Sequence, residues 1–496
     1  MGLIRLAVLL LALAGAGLSV WRLEAGRAGL VITPLPVGST PATVYRLPGD
    51  APAPVVVIAH GFAGSRPLMD SIAMTLAQAG YIAVSYDLMG HGRNPVPMSG
   101  DVTRVDGTTR VLMDELARVS DAGLALPGSD GRLALLGHSM ASDIVVRQAI
   151  RDGRVQAVVA LSMFSTAVTA DQPRNLLVMA GAWEGFLSAE ALRALRLSDP
   201  AAVLGQTVAN ATGARRALTA PNVEHLGILY SGTMLVETRG WLNSVFARDA
   251  APPIMRRGGW IAVLLVSVVA MAWPLAGALR RFRAAEPPLR VESGAFVLAV
   301  LGPAVATPLL LWPFDTRFLP VLVADYLAVH FALYGALGLA LLGWAGGLRR
   351  IAPVVLVLAV PVAAFAIVVF GGALDRYFAA FVPVADRIPV VAAMALGAVP
   401  FMLADSALTE GGRAPLCRVL MVRGAALASR GHAVALDFER LFFLLIILPV
   451  ILVFFLLFGT VAGWVGRATW RPAVAGIGLG VFLGWALGVT FPMFAA

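Results

Sequence analysis

The sequence predicts two joined fold classes: an α/β domain with a mostly parallel central sheet flanked by helices, then an all-α transmembrane bundle. Three observations predict this. Short β-rich runs alternate with helical patterns from about residue 29 to 250. From about residue 258 the chain turns into a series of apolar runs long enough to cross a bilayer. Between β and helical patterns in the first part, the run Leu133-Ala134-Leu135-Leu136 ends in Gly137-His138-Ser139-Met140-Ala141 and passes directly into a helical pattern.

Composition limits the function classes. At 496 residues, 59% hydrophobic and 14% charged, with a mean hydropathy of +0.82, the chain is too apolar for an ordinary soluble protein. The single cysteine, Cys417, excludes an internal disulfide and any cysteine-based metal cluster. All 38 basic residues are arginine, which excludes Schiff-base lysines and the lysine of a P-loop. The net charge of +9 is scattered or sits beside apolar spans, so nucleic acid is not an expected partner and the arginines read as topology signals. Neither a cofactor nor a metal is expected.

Taken in order, residues 1–21 hold Arg5 and then an apolar run from Leu6 to Val20, an expected membrane anchor, with a cleaved signal peptide as the alternative. In the α/β part, residues 55–59, 81–86, 133–136, 155–162 and 176–180 read as strands, and residues 68–79, 105–122 and 142–150 as helices. Strands that are apolar throughout are buried on both faces, which implies parallel pairing. Asp199-Pro200 reads as the capped start of a further helix. In residues 258–496, apolar runs at roughly 259–279, 292–313, 319–346, 351–373, 388–408, 440–465 and 472–494 give about seven spans besides the first. Arg280, Arg281, Arg283 and Arg290, then Arg349 and Arg350, then Arg413, Arg418, Arg423 and Arg430 fall in alternate connections, with Arg467 and Arg471 opposed. By the positive-inside rule the α/β domain then lies outside a bacterial inner membrane with both termini inside.

Ser139, between Gly137 and Ala141, reads as a nucleophile elbow: a tight strand-to-helix turn projects the hydroxyl while small residues admit the close backbones. Ala141 stands where glycine is usual. The surroundings resemble the α/β-hydrolase superfamily of serine esterases and lipases. After the strand at residues 55–59 comes His60-Gly61-Phe62-Ala63-Gly64-Ser65, similar to that family's oxyanion loop. Tyr86-Asp87-Leu88-Met89-Gly90-His91-Gly92 is similar to its D-x-x-G-H-G loop. The resemblance implies backbone N–H donors at Phe62 and Met140 that stabilise a developing oxyanion, and structural roles for His60, Gly61, Asp87, Gly137 and His138.

The remaining triad members follow from the same resemblance. Leu177-Val178-Met179-Ala180-Gly181-Ala182-Trp183-Glu184 is similar to the family's strand followed by G-x-x-D, which puts Glu184 in the acid's place. Glu190, Asp171 and Asp199 are nearby carboxylates. Of six histidines, His330 and His432 lie in the membrane half, His60 and His91 belong to other loops, and His138 adjoins the nucleophile, which leaves His225. The order Ser, acid, His matches the family's. The expected chemistry is ester hydrolysis through an acyl-enzyme, with thioesters or amides as variants. Only about a dozen residues separate the strands ending near Ser162 and starting near Leu176, too few for an inserted lid. An open site on a membrane-anchored domain suits lipid or other hydrophobic esters, with membrane lipids as neighbours. The alternative is a transporter or membrane-assembly protein whose hydrolase-like domain is a receptor without catalysis. Asp325, His330 and Asp405 are ionisable groups at membrane depth and further functional candidates.

Overall fold

The computed structural model describes residues 2–283, 291–348 and 350–495, so Arg290 and Arg349 lie outside the described residues. The chain divides into two units. One contains residues 19–262, 375–380 and 492–496; the other contains residues 2–18, 263–374 and 381–491. Helix α1 (Leu3–Ala25) contributes to both.

In the first unit, β1 (Val31–Val37) and β2 (Thr40–Arg46) form a hairpin, followed by β3 (Ala53–Ala59), α2 (Asp70–Gln78), β4 (Ile82–Tyr86), β5 (Met98–Ser99), α3 (Arg110–Leu124), β6 (Ser129–His138), α4 (Met140–Arg151), β7 (Val155–Leu161), β8 (Leu176–Gly181), α5 (Gly185–Arg196), β9 (Thr207–Asn210), β10 (Gly213–Ala220) and α6 (Gly232–Phe246). Nine strands make one sheet in the order β1-β2-β4-β3-β6-β7-β8-β10-β9. The six from β4 to β10 are parallel, and the hairpin and β9 join antiparallel at the two edges.

The all-apolar strands are buried on both faces, as period-2 geometry requires of a sheet covered on both sides. Val55, Val57 and Ala59 of β3 pack with Leu116 and Val119 of α3, Ile144 and Val145 of α4 and Leu195 of α5. Val56 and Ile58 face the other way, onto Ile72 and Leu76 of α2 and Leu235 and Leu242 of α6. Asp199 differs from expectation. Its carboxylate accepts from the Ala201 N–H at 2.9 Å, but the chain makes only short turns there, at residues 200–201 and 204–205, before β9. Pro200 begins no helix because a second turn follows within four residues and leads to the edge strand.

In the second unit, the helices are α7 (Gly258–Ala276), α8 (Ser293–Leu311), α9 (Ala324–Trp344), α10 (Pro353–Ala364), α11 (Gly371–Tyr377), α12 (Ile388–Leu408), α13 (Leu416–Leu436), α14 (Phe438–Leu441), α15 (Leu444–Thr469) and α16 (Pro472–Thr490). Among the described residues, eight helices counting α1 are long and apolar enough to cross a membrane; α10 and α11 form one of them through a continuous stretch, and α13 is not among them. Helices α12 and α16 run antiparallel at backbone contact. Gly476, Gly480, Gly484 and Gly488 of α16 lie against Leu403, Val399, Ala395 and Val391 of α12, so close that a Cβ would meet α12 backbone at 2.3 to 3.1 Å. Glycine on one face every fourth residue permits this approach.

Two short pieces remote in sequence, residues 375–380 and the stretch after α16, belong to the first unit. The Ala380 N–H donates to Ser65 Oγ at 2.8 Å, and Tyr230 and Phe378 rings stack at 6.3 Å. Near the chain's end, β11 (Phe494–Ala495) pairs parallel with β5, and the Met493 N–H donates to the Gly90 carbonyl at 2.8 Å.

Candidate active site

Strand β6 ends at His138, and the chain turns through Ser139 into α4. Ser139 has φ 55° and ψ −122°, a conformation that L-residues avoid and that persists only when its surroundings impose it. The restraints are visible. The Ser139 N–H donates to the Leu161 carbonyl at 2.9 Å, and the Ser139 carbonyl accepts from the Ser142 N–H at 2.8 Å and hydroxyl at 2.5 Å. A Cβ on Gly137 would come within 2.3 Å of the Ala141 carbonyl oxygen, and one on Gly61 within 2.9 Å of the Ser139 Cβ. Both positions therefore need glycine, whereas the buried Ala141 methyl is accommodated.

Two loops at the same edge of the sheet bring their side chains to Ser139. Glu184 follows β8 and immediately precedes α5; His225 lies in the loop after β10. His225 Nε2 is 2.9 Å from Ser139 Oγ, and Nδ1 is 2.5 Å from Glu184 Oε1. Glu184 Oε2 accepts from the Gly181 N–H at 2.6 Å and from the Ser162 hydroxyl at 2.8 Å. Burial pushes the Glu184 carboxyl up, but hydrogen bonds from His225, the Gly181 amide and Ser162 outweigh it and hold the group below the usual carboxylate value. An ionised Glu184 fixes Nδ1 of His225 as the protonated nitrogen, which leaves Nε2 to accept from the serine.

The other carboxylates are engaged elsewhere: Glu190 binds Arg193 at 2.6 Å, Asp171 accepts from the Ala211 N–H at 3.1 Å, and Asp199 holds its turn. His138 is buried beneath the site, its ring 4.8 Å from that of His225, and its Nε2–H donates to the His225 carbonyl at 2.9 Å. Burial, helped by the adjacent His225, depresses His138 to about 3, so it stays neutral and braces the His225 loop.

The oxyanion loop has its own support. The Leu88 N–H donates to His60 Nε2 at 3.1 Å, so the His60 hydrogen is on Nδ1 and points to the Gly61 carbonyl at 2.8 Å. Burial lowers His60, in keeping with a neutral ring. Phe62 follows, its ring 5.9 Å from that of His91. The Met140 N–H belongs to the first turn of α4, where amides lack intrahelical acceptors. Asp87 ties the neighbouring loops together, accepting from the Arg66 N–H at 2.8 Å, Arg66 Nε at 3.1 Å and the Arg93 N–H at 3.2 Å. Gly92 is required beside it, since a Cβ there would lie 2.5 Å from Asp87 Oδ1.

Sequence reasoning missed Ser162, Arg66, Glu115 and Asn94. Ser162 supports the acid. The buried Glu115 accepts from the Met89 N–H and Asn94 and holds the Asp87 loop. No spacing marks these residues, which meet only through the sheet.

The profile of a family described as serine aminopeptidase, S33 matches residues 50–211. The first unit has the α/β-hydrolase fold. Solved structures similar to it include a dienelactone hydrolase from Anabaena variabilis, 19% identical over 44% of this chain and 96% of that one, with a TM-score of 0.32. A CIB-like hydrolase from Thermoplasma acidophilum is 14% identical over 43% and 98% of the two chains, with a TM-score of 0.33. An epoxide hydrolase from Vigna radiata is 21% identical over 27% and 39%, with a TM-score of 0.22. A comparison with curated proteins returns no match. Among the described residues, no cluster of three or more histidine, cysteine or acidic side chains is arranged to hold a metal ion.

Around this hydrolase site the connection between β7 and β8 contains turns and no inserted helix. Phe164 and Trp183 on loops and Phe186 at the start of α5 have 53%, 69% and 69% of their surfaces exposed, and the Phe164 and Phe186 rings are 5.7 Å apart.

Proposed function

We propose that the α/β-hydrolase domain cleaves carboxylic esters, with lipid or other hydrophobic esters as the substrate class, through a Ser139-His225-Glu184 triad. The observation that carries this is the continuous relay from Glu184 through His225 to a Ser139 held at positive φ on an elbow. His225 Nε2 takes the Ser139 proton as Oγ attacks the substrate carbonyl carbon. The N–H groups of Phe62 and Met140 receive the developing oxyanion. The tetrahedral adduct collapses, the Nε2 proton passes to the departing alkoxide, and an alcohol leaves an acyl-Ser139. Water then gives a proton to His225 and attacks the acyl carbon; collapse returns that proton to Ser139 and releases the carboxylic acid. The exposed Phe164, Trp183 and Phe186 favour a substrate with an apolar chain, since rings at an open site bury area only when such a chain covers them.

The test is labelling of full-length protein by a fluorophosphonate probe, followed by a screen of esters of increasing chain length. Wild type should label at Ser139 and Ser139→Ala should not; equal weak labelling of both would remove the catalytic reading.

We also propose that the hydrolase domain lies outside a bacterial inner membrane, with the start of α1 on the cytoplasmic side. The eight helices apolar and long enough to cross, an even number, then return the end of the chain to the side where α1 starts, so both termini are cytoplasmic. Cys417, exposed at the start of α13, is a native reporter: in intact spheroplasts an impermeant maleimide should leave it and a cysteine placed at Ala495 unlabelled, and should label a cysteine placed at the exposed Val102 of the hydrolase domain. The reverse pattern refutes this topology.

A further inference from the structure

Helix α13 carries Arg423 and Arg430 about two turns apart and therefore on one face. Both guanidiniums are turned into the helical unit, and both lie against aromatic rings. Arg423 is 5.1 Å from the Phe455 ring, and Arg430 is 4.6 Å from Phe331 of α9 and 4.8 Å from Phe401 of α12. They differ in their partners. Arg423 presents Nε and Nη2 to Asp405, at 3.1 Å from Oδ1 and 3.3 Å from Oδ2, a two-pronged grip on a carboxylate. Arg430 is 1% exposed and forms no ion pair among the described residues. Its Nη1 donates to the Ala426 carbonyl, and the same two nitrogens that Arg423 uses, Nε and Nη2, have no hydrogen-bond partner there.

The surroundings of Arg430 are polar but not anionic. Ser429 Oγ is 3.2 Å from His330 Nε2, the Tyr326 hydroxyl is 3.5 Å from His330 Nδ1, and Tyr334 stacks on His330 at 6.3 Å. A buried cation without a counter-ion is costly in any low-dielectric interior and more so between apolar spans, and each orphaned donor adds to that cost.

We infer that Arg430 is an oxyanion-binding site within the helical unit, and that its ligand is an amphiphile whose carboxylate or phosphate takes the Nε and Nη2 donors while its acyl chain lies among the apolar helices. Arg423 with Asp405 shows on the same helix face the geometry that such a ligand reproduces at Arg430. Phe331 and Phe401 hold the guanidinium plane, so its fork is oriented before the anion arrives, which lowers the ordering cost of binding. The chemistry fits two sources, a free fatty acid and the phosphate of an anionic phospholipid. The site does not require catalysis at Ser139.

The experiment uses full-length protein purified in a nonionic detergent, with binding read by thermal shift and by native mass spectrometry. The probes are oleate, dioleoylphosphatidylglycerol and inorganic phosphate. Wild type and Ser139→Ala should both be stabilised by oleate, by the phospholipid, or by both, and Arg430→Met should bind the same probe at least tenfold more weakly. Arg430→Lys, which keeps the charge but loses the fork, should fall between them and serves if the methionine variant does not fold. Binding of oleate identifies a free carboxylate as a source; binding of the phospholipid alone identifies the headgroup. Without ligand, Arg430→Met should melt no lower than wild type, because it removes an uncompensated buried charge. The inference is overturned if no acyl-chain anion binds, if inorganic phosphate binds as well as the amphiphiles, or if Arg430→Met binds like wild type. It is equally overturned if Arg430→Met melts lower and no anion protects wild type, since Arg430 is then a packing residue.

Discussion

Glutamine at position 184 keeps the shape of the acid and removes its charge. In the native site the carboxylate accepts from His225 Nδ1 at 2.5 Å, from the Gly181 amide at 2.6 Å and from Ser162 at 2.8 Å. An amide can accept through one atom only, so its NH2 meets either His225 or the Gly181 amide donor to donor. Facing His225, it favours the tautomer with the proton on Nε2, which cannot accept from Ser139. A charge-assisted hydrogen bond contributes about 1.5–3 kcal/mol, and the imidazolium formed during attack loses its counter-ion as well. The His225 side chain is 43% exposed, so water screens part of that attraction. The loss should therefore fall short of the roughly 10⁴-fold seen when a fully buried triad acid is changed to its amide. We expect kcat/KM to fall about a thousandfold, or about 4 kcal/mol, with Glu190→Gln close to wild type. The assay is hydrolysis of p-nitrophenyl esters by purified full-length protein, supported by fluorophosphonate labelling rates. Glu184→Gln retaining more than about a tenth of wild-type kcat/KM would refute the assignment of the acid, given how little an amide can reproduce of this geometry.

Gly137→Ala should abolish fluorophosphonate labelling while Ala141→Gly labels normally and loses no more than about 1 kcal/mol of stability, because the first puts a Cβ 2.3 Å from the Ala141 carbonyl oxygen and the second removes only a tolerated methyl. His138 should give an acid-side loss of stability. Its folded value of about 3 lies below the unfolded 6.5, so between those values the unfolded chain binds the proton and the folded chain does not. Stability from this group is intact above pH 6.5 and declines as pH falls toward 3, by up to about 1.4 kcal/mol per pH unit. Glu184, lowered in the fold, adds a loss in the same direction. Denaturant titrations from pH 7 to 4 should show a shallower decline for His138→Asn. In the helical unit, Asp405→Ala leaves Arg423 buried and unpaired and should cost about 3–5 kcal/mol by thermal or denaturant unfolding, most of it recovered in Asp405→Ala/Arg423→Leu.

The strands and helices with unmixed patterns were legible in the sequence. Residues 55–59, 133–136 and 176–180 are apolar because both faces of the sheet are covered, and apolar runs of membrane length have few other uses. Strand β10 was not legible, although its end leads to His225. Its sequence Gly-Ala-Arg-Arg-Ala-Leu-Thr-Ala carries Arg215, which is fully buried because its Nη1 and Nη2 donate to the Ala194 and Gln172 carbonyls, at 2.9 and 3.1 Å. Helix α13 is not legible as a helix for a similar reason: its arginines interrupt the apolar pattern, yet Arg423 is neutralised by Asp405 from another helix. A polar residue is legible as buried only once its partner is known, and that partner lies at another point of the chain.

The sequence by itself determined the order of the chemistry: an elbow serine, a carboxylate after a strand, a histidine after both, and small residues wherever backbones must meet. Local sterics demand those residue types, so they leave a local trace. Only the tertiary structure decided the 2.9 Å and 2.5 Å contacts that join Ser139, His225 and Glu184, the support from Ser162 and His138, and the difference between Arg423, which has a carboxylate, and Arg430, which has none among the described residues. Those relations join residues far apart in the chain, where neither periodicity nor spacing carries information about distance.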